Sequence, residues 1–134
     1  MTDAEPETTD AAEPESTPLL VPDDGVPELS ISGTEIARAA ALLATGHGSF
    51  AVDAERASGF RYSNRAYLVQ IRRAGAGTVL IDPVNHGGDP VATLAPVAEV
   101  LATDEWVLHA ADQDLPCLAE IGMTPPRLYD TELA

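Results

Sequence analysis

The sequence predicts an α/β fold in which a mixed β-sheet is covered by helices. Three observations lead there. Short apolar runs flanked by turn residues or by acids occur at 49–53 and 106–109. Two further runs, 66–71 and 78–82, are joined by Gly75-Ala76-Gly77. Between and around them lie stretches with helical spacing at 34–45, 91–101 and 112–121. Strands that pair first as an antiparallel three-stranded meander and then alternate with helices imply added parallel strands and a layered architecture. At 134 residues the chain fits one domain, which at this size buries roughly two-thirds of its unfolded surface.

Residues 1–30 form an acidic, Pro-rich tail and lead-in, and 31–134 form the folded domain. The first part holds nine acids, no base and five of the eleven prolines. Residues 1–17 are too poor in large apolar groups to offset chain entropy and are expected to be disordered. Pro18 to Pro27 is expected to pack as an extended lead-in. Ser32 and Glu35 have the spacing of a capping box, and Ile36, Ala39, Ala40 and Leu43 then repeat at helical intervals up to Gly46. The run Ser49 to Asp53 is short and apolar, which favours a buried strand with Asp53 and Glu55 at its end. A small, polar loop over 56–65 leads into the meander. Pro83 to Pro90 is a loop, and Val91 to Leu101 is an amphipathic helix. A strand at 106–109, a helix at 112–121 and a strand at 127–129 complete the pattern.

All seven cationic residues are arginine, against 22 acids, so the net charge is −15. That sign usually argues against nucleic acid, whose phosphates must be neutralised. Removing the tail leaves thirteen acids and seven arginines over 31–134, and the folded part carries about −6. No basic region and apolar core follow Met1, Cys117 is the sole cysteine, and no apolar stretch approaches the roughly 20 residues of a membrane span. A cytoplasmic location is expected.

The candidate chemistry begins at Asp53-Ala54-Glu55. Alternate strand residues share a face, so both carboxylates point the same way. Like charges held that close raise each other's pKa unless a cation neutralises them, and hard oxygen donors suit Mg²⁺ or Mn²⁺. The plainer alternative is a strand end emerging into solvent. A second group, His109-Ala110-Ala111-Asp112-Gln113-Asp114, sets acids just beyond a strand at the start of a helix. Only one of Asp112 and Asp114 can face the site, because they lie about 200° apart on a helix; the other should cap it. Arg56, Arg61, Arg65, Arg72 and Arg73 are five of the seven arginines, with no acid between Arg56 and Ile81. Arginine grips phosphate oxygens bidentately, so this segment beside paired acids suits a phosphodiester. Pairing with surface acids is the alternative. Tyr62 and Tyr67 could stack on bases, although packing under the meander suits Tyr67 better.

Val52-Asp53-Ala54-Glu55, Tyr67-Leu68-Val69-Gln70-Ile71, Leu80-Ile81-Asp82-Pro83, His109 to Leu115 and Tyr129-Asp130-Thr131 together resemble ribonuclease D, from about Gly48 to Ala134. That family belongs to the DEDD 3′–5′ exonucleases, which have a ribonuclease H-like fold and two divalent cations, Mg²⁺ or Mn²⁺. The resemblance carries the first acidic motif onto Asp53 and Glu55 and the second onto Asp114, leaving Asp112 as the cap. It implies hydrolysis of RNA 3′ ends, with the ions about 4 Å apart at the scissile phosphate. Asp53 would bridge both ions, Glu55 would bind the ion holding the attacking water, and Asp114 would bind the other. Arg56, Arg61, Arg65, Tyr62 and His109 become the candidate nucleic-acid contacts.

The family's third motif, a tyrosine and an aspartate four residues apart, is missing: no Tyr-x-x-x-Asp occurs in the sequence. Asp130 is expected instead to cap a helix beginning near Thr131. The chain is therefore expected to be the N-terminal part of such an enzyme, its fold cut short on the C-terminal side and inactive alone. Two other readings compete: a non-catalytic nucleic-acid or protein binding module, and a remnant that dimerises through an uncovered sheet surface.

Overall fold

The computed structural model describes residues 18, 20–56 and 65–133 of the chain. The tail 1–17 and most of the 56–65 loop, with Arg61 and Tyr62, lie outside the described residues. Among the described residues six strands form one sheet, in the order β1-β4-β3-β2-β5-β6. They are β1 (Leu29–Ser30), β2 (His47–Arg56), β3 (Ala66–Ala74), β4 (Gly77–Ile81), β5 (Trp106–Leu108) and β6 (Leu128–Asp130). The helices are α1 (Gly33–Ala44), α2 (Pro90–Leu101) and α3 (Ala111–Glu120).

β2, β3 and β4 make the expected antiparallel meander. β5 adds to β2 in parallel, and β6 adds to β5 in parallel. β2 is longer than the apolar run suggests: it continues through Arg56, so Asp53 and Glu55 sit within paired strand, with Glu55 one residue from its end. Its pairing shifts register between Glu55 and Arg56, the kind of irregularity that re-aims side chains near active sites. β1 was not expected. A two-residue strand has no periodicity to read, and it exists because Leu29 and Ser30 find β4 beside them.

The capping box forms as its spacing predicts. Ser32 Oγ accepts from Glu35 N at 3.1 Å, and Glu35 Oε2 reaches back to accept from Ile31 N at 2.9 Å. Ile36, Ala39, Ala40 and Leu43 are then the buried stripe of α1. Gly46 ends the turn where a Cβ would lie 2.7 Å from the Ala74 carbonyl, a separation no other residue tolerates. α2 starts from Asp89, whose carboxylate accepts from Ala92 N at 2.9 Å, with Pro90 in the first turn, where a missing N–H costs nothing.

All three helices share one core with a single face of the sheet. Phe50, Val52 and Ala54 of β2, Val69 and Ile71 of β3, Val79 and Ile81 of β4, and Trp106 and Leu108 of β5 are buried in it with α1, α2 and α3. The Trp106 indole N–H is satisfied inside this core by the Leu101 carbonyl at 2.8 Å. The register puts Ala51, Arg72 and Val107 on the opposite face, followed by Asp53, Gln70 and Leu80, then Glu55 and Leu68. Among the described residues that face is exposed or half-buried and no helix covers it.

The arginine segment divides between the two faces. Arg73, one of the five arginines read as a phosphate grip, turns into the core side and is only 9% exposed. It donates to the Gly48 and Leu43 carbonyls, each at 3.0 Å, stands 3.8 Å from Asp104, and lies 4.2 Å over the Phe50 ring. Arg72 points the other way and pairs with Asp24 of the lead-in at 3.0 Å. Both are therefore engaged by other groups of the protein, Arg73 inside the core and Arg72 at the surface. Tyr67 is 50% exposed rather than packed beneath the meander, because the β3 residues that face the core are Ala66, Val69, Ile71 and Arg73.

Candidate active site

The strand alternation behaves as the Asp-x-Glu spacing requires. Val52 and Ala54 are buried while Asp53 and Glu55 are exposed on the same face. Gln70, directly across from Asp53 in the register, donates from Nε2 to Asp53 Oδ2 at 3.2 Å.

Asp114 arrives from α3. β5 pairs with β2 only as far as Ala51, so beyond that point the β2 edge carries N–H groups with no strand beside them. Asp114 Oδ2 takes one, accepting from Ala54 N at 3.3 Å. The Asp114 side chain is nearly buried, and Asp112, two residues earlier, is exposed. One acid of the pair faces inward, as helical geometry demands, and it is Asp114. Burial pushes the Asp114 carboxyl above its ordinary value; the Ala54 N–H opposes this, the neighbouring Asp53 carboxylate pushes further upward, and the Arg56 charge opposes.

Asp114 thus comes beside the Asp53 segment from an element 60 residues beyond Ala54. Glu55 shares a face with Asp53 but does not complete a cluster: among the described residues, no three His, Cys, Asp or Glu side chains are arranged to hold a metal ion. The first two carboxylates fit a divalent cation by their donor chemistry. They are hard oxygens, mutually repelling, one of them desolvated.

The other candidate residues are placed as follows. Arg56, at the end of β2, donates to Gln113 Oε1 at 3.2 Å and so stands over the first turn of α3. His109 is exposed, its Nδ1 3.0 Å from Thr131 Oγ1. Arg65 is exposed just ahead of β3. Two grooves lie away from the carboxylates. One of about 290 Å³ runs between β1 and α1, and the other, about 420 Å³, lies between the lead-in and Arg72.

Asp112 does not cap α3, and among the described residues no helix starts at Thr131. The residue at the helix boundary is Ala110, with no side-chain cap of its own. The acceptor is Asp130, from β6, which binds Ala110 N and Ala111 N. A cap normally lies within a few residues of its helix, and Asp130 is 19 residues from the Ala111 amide it binds, so its own neighbourhood points to the segment after it instead. Gln70 was missed as well, and its signal was available: it is a polar residue inside an apolar strand whose partner strand carries the carboxylates.

The 3′–5′ exonuclease family matches residues 30–134. A protein of solved crystal structure from Bifidobacterium adolescentis is 40% identical, with a TM-score of 0.74 over 86% of this chain and 28% of its own. RNase D of Escherichia coli, an exoribonuclease involved in structured RNA processing, is 22% identical, with a TM-score of 0.65 over 79% of this chain and 27% of its own. Trypanosoma brucei RNase D in complex with RNA U12 is 17% identical, with a TM-score of 0.61 over 77% of this chain and 36% of its own. No curated protein matches. The chain spans under a third of the length of the first two solved relatives. No helix among the described residues is long and apolar enough to cross a membrane. With the family match running from the first strand to the last residue, over a sheet with the RNase D fold, the chain belongs to the 3′–5′ exonuclease family.

Proposed function

We propose that this domain supplies the first and second acidic motifs of an RNase D-type 3′–5′ exoribonuclease, acting on RNA 3′ ends in the cytoplasm with two divalent cations, Mg²⁺ or Mn²⁺. The observation that carries this reading is the meeting of Asp53 with the desolvated Asp114 at the bare edge of β2. Asp53, Glu55 and Asp114 would hold the cations, which when bound would polarise the scissile phosphate and lower the pKa of a water. Gln70 holds the Asp53 carboxylate by its amide, and the Ala54 N–H fixes Asp114 Oδ2. Arg56 stands beside the pair and partly offsets its charge, a position suited to a phosphate oxygen as well. Arg61, Arg65, Tyr62 and His109 would extend contact along the strand of RNA. RNA as the substrate is supported by the RNA-bound Trypanosoma brucei RNase D.

No Tyr-x-x-x-Asp occurs in the sequence, so these 134 residues alone are expected to bind metal weakly and to hydrolyse RNA negligibly. Titration with Mn²⁺, followed by paramagnetic broadening of amide resonances, tests the assignment. Broadening should centre on Asp53, Ala54 and Asp114, and Asp53→Ala should abolish it. Undiminished broadening in that variant, or rapid turnover of a 3′-labelled oligoribonucleotide by the chain alone, would overturn the corresponding part of the proposal.

A further inference from the structure

Asp130 makes more hydrogen bonds to backbone than any other acid near the candidate site. Its Oδ1 accepts from Ala110 N at 3.0 Å and Glu132 N at 2.9 Å, and its Oδ2 accepts from Ala111 N at 2.9 Å. Ala110 is the sole described non-glycine residue with a left-handed backbone, at φ 53°, a conformation that an L-residue holds only when its surroundings enforce it. That residue is the hinge between β5 and α3. The residue just after β6 strengthens the clamp: Thr131 N donates to the Leu108 carbonyl at 2.9 Å, and Thr131 Oγ1 lies 3.0 Å from His109 Nδ1.

The direction in which α3 leaves the sheet is therefore fixed from outside the helix. Asp114 lies one turn beyond Ala111, so that direction decides whether its carboxylate reaches the Ala54 N–H and Asp53. We infer that Asp130 is a positioning residue for the reaction: by holding the left-handed Ala110 and the first N–H of α3, it aims Asp114 at Asp53. Its carboxylate is consumed by three backbone donors and does not itself join the pair. The inference rests on the proposed function only in giving Asp114 a metal to hold.

The test is amide hydrogen exchange of the whole chain by NMR, alongside Mn²⁺ broadening, for Asp130→Ala, Asp130→Asn and the double variant Asp130→Ala with Ala110→Gly. Asp130→Ala should speed exchange of the Ala54 amide about tenfold, with the amides of β3 unchanged. It should weaken Mn²⁺ binding by at least about tenfold, the usual effect of losing a residue that orients a ligand. Asp130→Asn, which keeps one acceptor oxygen, should fall between. Glycine at 110 removes the backbone strain and should recover part of both losses.

Unchanged exchange at Ala54 would overturn the inference. So would an equal rise at Ala54 and throughout β3, which would make Asp130 a general stabiliser. Unaltered Mn²⁺ binding in Asp130→Ala, with binding lost in Asp53→Ala, would overturn it too. If Ala54 responds to Asp130 while Mn²⁺ binding responds to neither Asp130 nor Asp53, the aiming role stands and the metal assignment fails.

Discussion

Alternate residues of β2 and β3 live in two different solvents, and the contrast explains how one sheet both holds the fold and carries the site. On the helix-covered face Phe50, Val52, Val69 and Ile71 are at most 5% exposed, and the buried charge of β3 there, Arg73, comes with two carbonyl acceptors, an aromatic ring and Asp104. On the other face Asp53, Glu55, Gln70 and Arg72 stand in or near water. Arg72 and Arg73 are adjacent in sequence, yet one is an exposed partner of Asp24 and the other is part of the core. A strand period of two residues turns a single step along the chain into a change of dielectric.

The sharpest way to break this contrast is to exchange its arginines. Arg73→Ala removes the guanidinium donor from the Leu43 and Gly48 carbonyls and uncovers the Phe50 ring, and should cost about 2–3 kcal/mol of stability, read from denaturant midpoints. An unmoved midpoint would mean that the buried arginine is not a structural tie.

A smaller, pH-dependent effect should come from Asp114→Asn. In the folded state burial, then the Asp53 charge, raise the Asp114 pKa, so the native protein holds that proton more tightly than the unfolded chain. Wild-type stability should therefore fall as pH rises from the ordinary carboxylate value through the raised one. Asp114→Asn cannot ionise and escapes the loss. Its stability relative to wild type should climb over that window and level off above it, as urea midpoints from about pH 4 to 7 would register. A constant difference across the window would mean that Asp114 is not desolvated. Asp130 has the opposite sign, since the backbone N–H groups of Ala111, Glu132 and Ala110 hold its carboxyl below the usual range.

The smallest effect belongs to Arg72→Ala. The Arg72 and Asp24 side chains are each about half exposed, and such pairs are screened by salt and add little. The unfolding midpoint should stay where it is at physiological ionic strength. A clear drop would show that the lead-in contributes to the fold through Asp24.

How much was readable in advance depends on the range over which each feature is fixed. The meander, the parallel order of the later elements, α1 with its capping box, and the shared face of Asp53 and Glu55 all follow from repeats of two or 3.6 residues and from caps three residues away. The sequence alone settles these because each involves a few neighbouring side chains and one backbone geometry. β1, the core-facing direction of Arg73, the Gln70 contact with Asp53 and the capping of α3 by Asp130 involve partners brought together across the sheet. Asp130 stands 19 residues from the start of the helix it caps, and Asp114 stands 60 from the amide that receives it. Only the folded sheet decides which of these groups find each other, because a hydrogen bond or a charge contact depends on distance in space and not on separation along the chain.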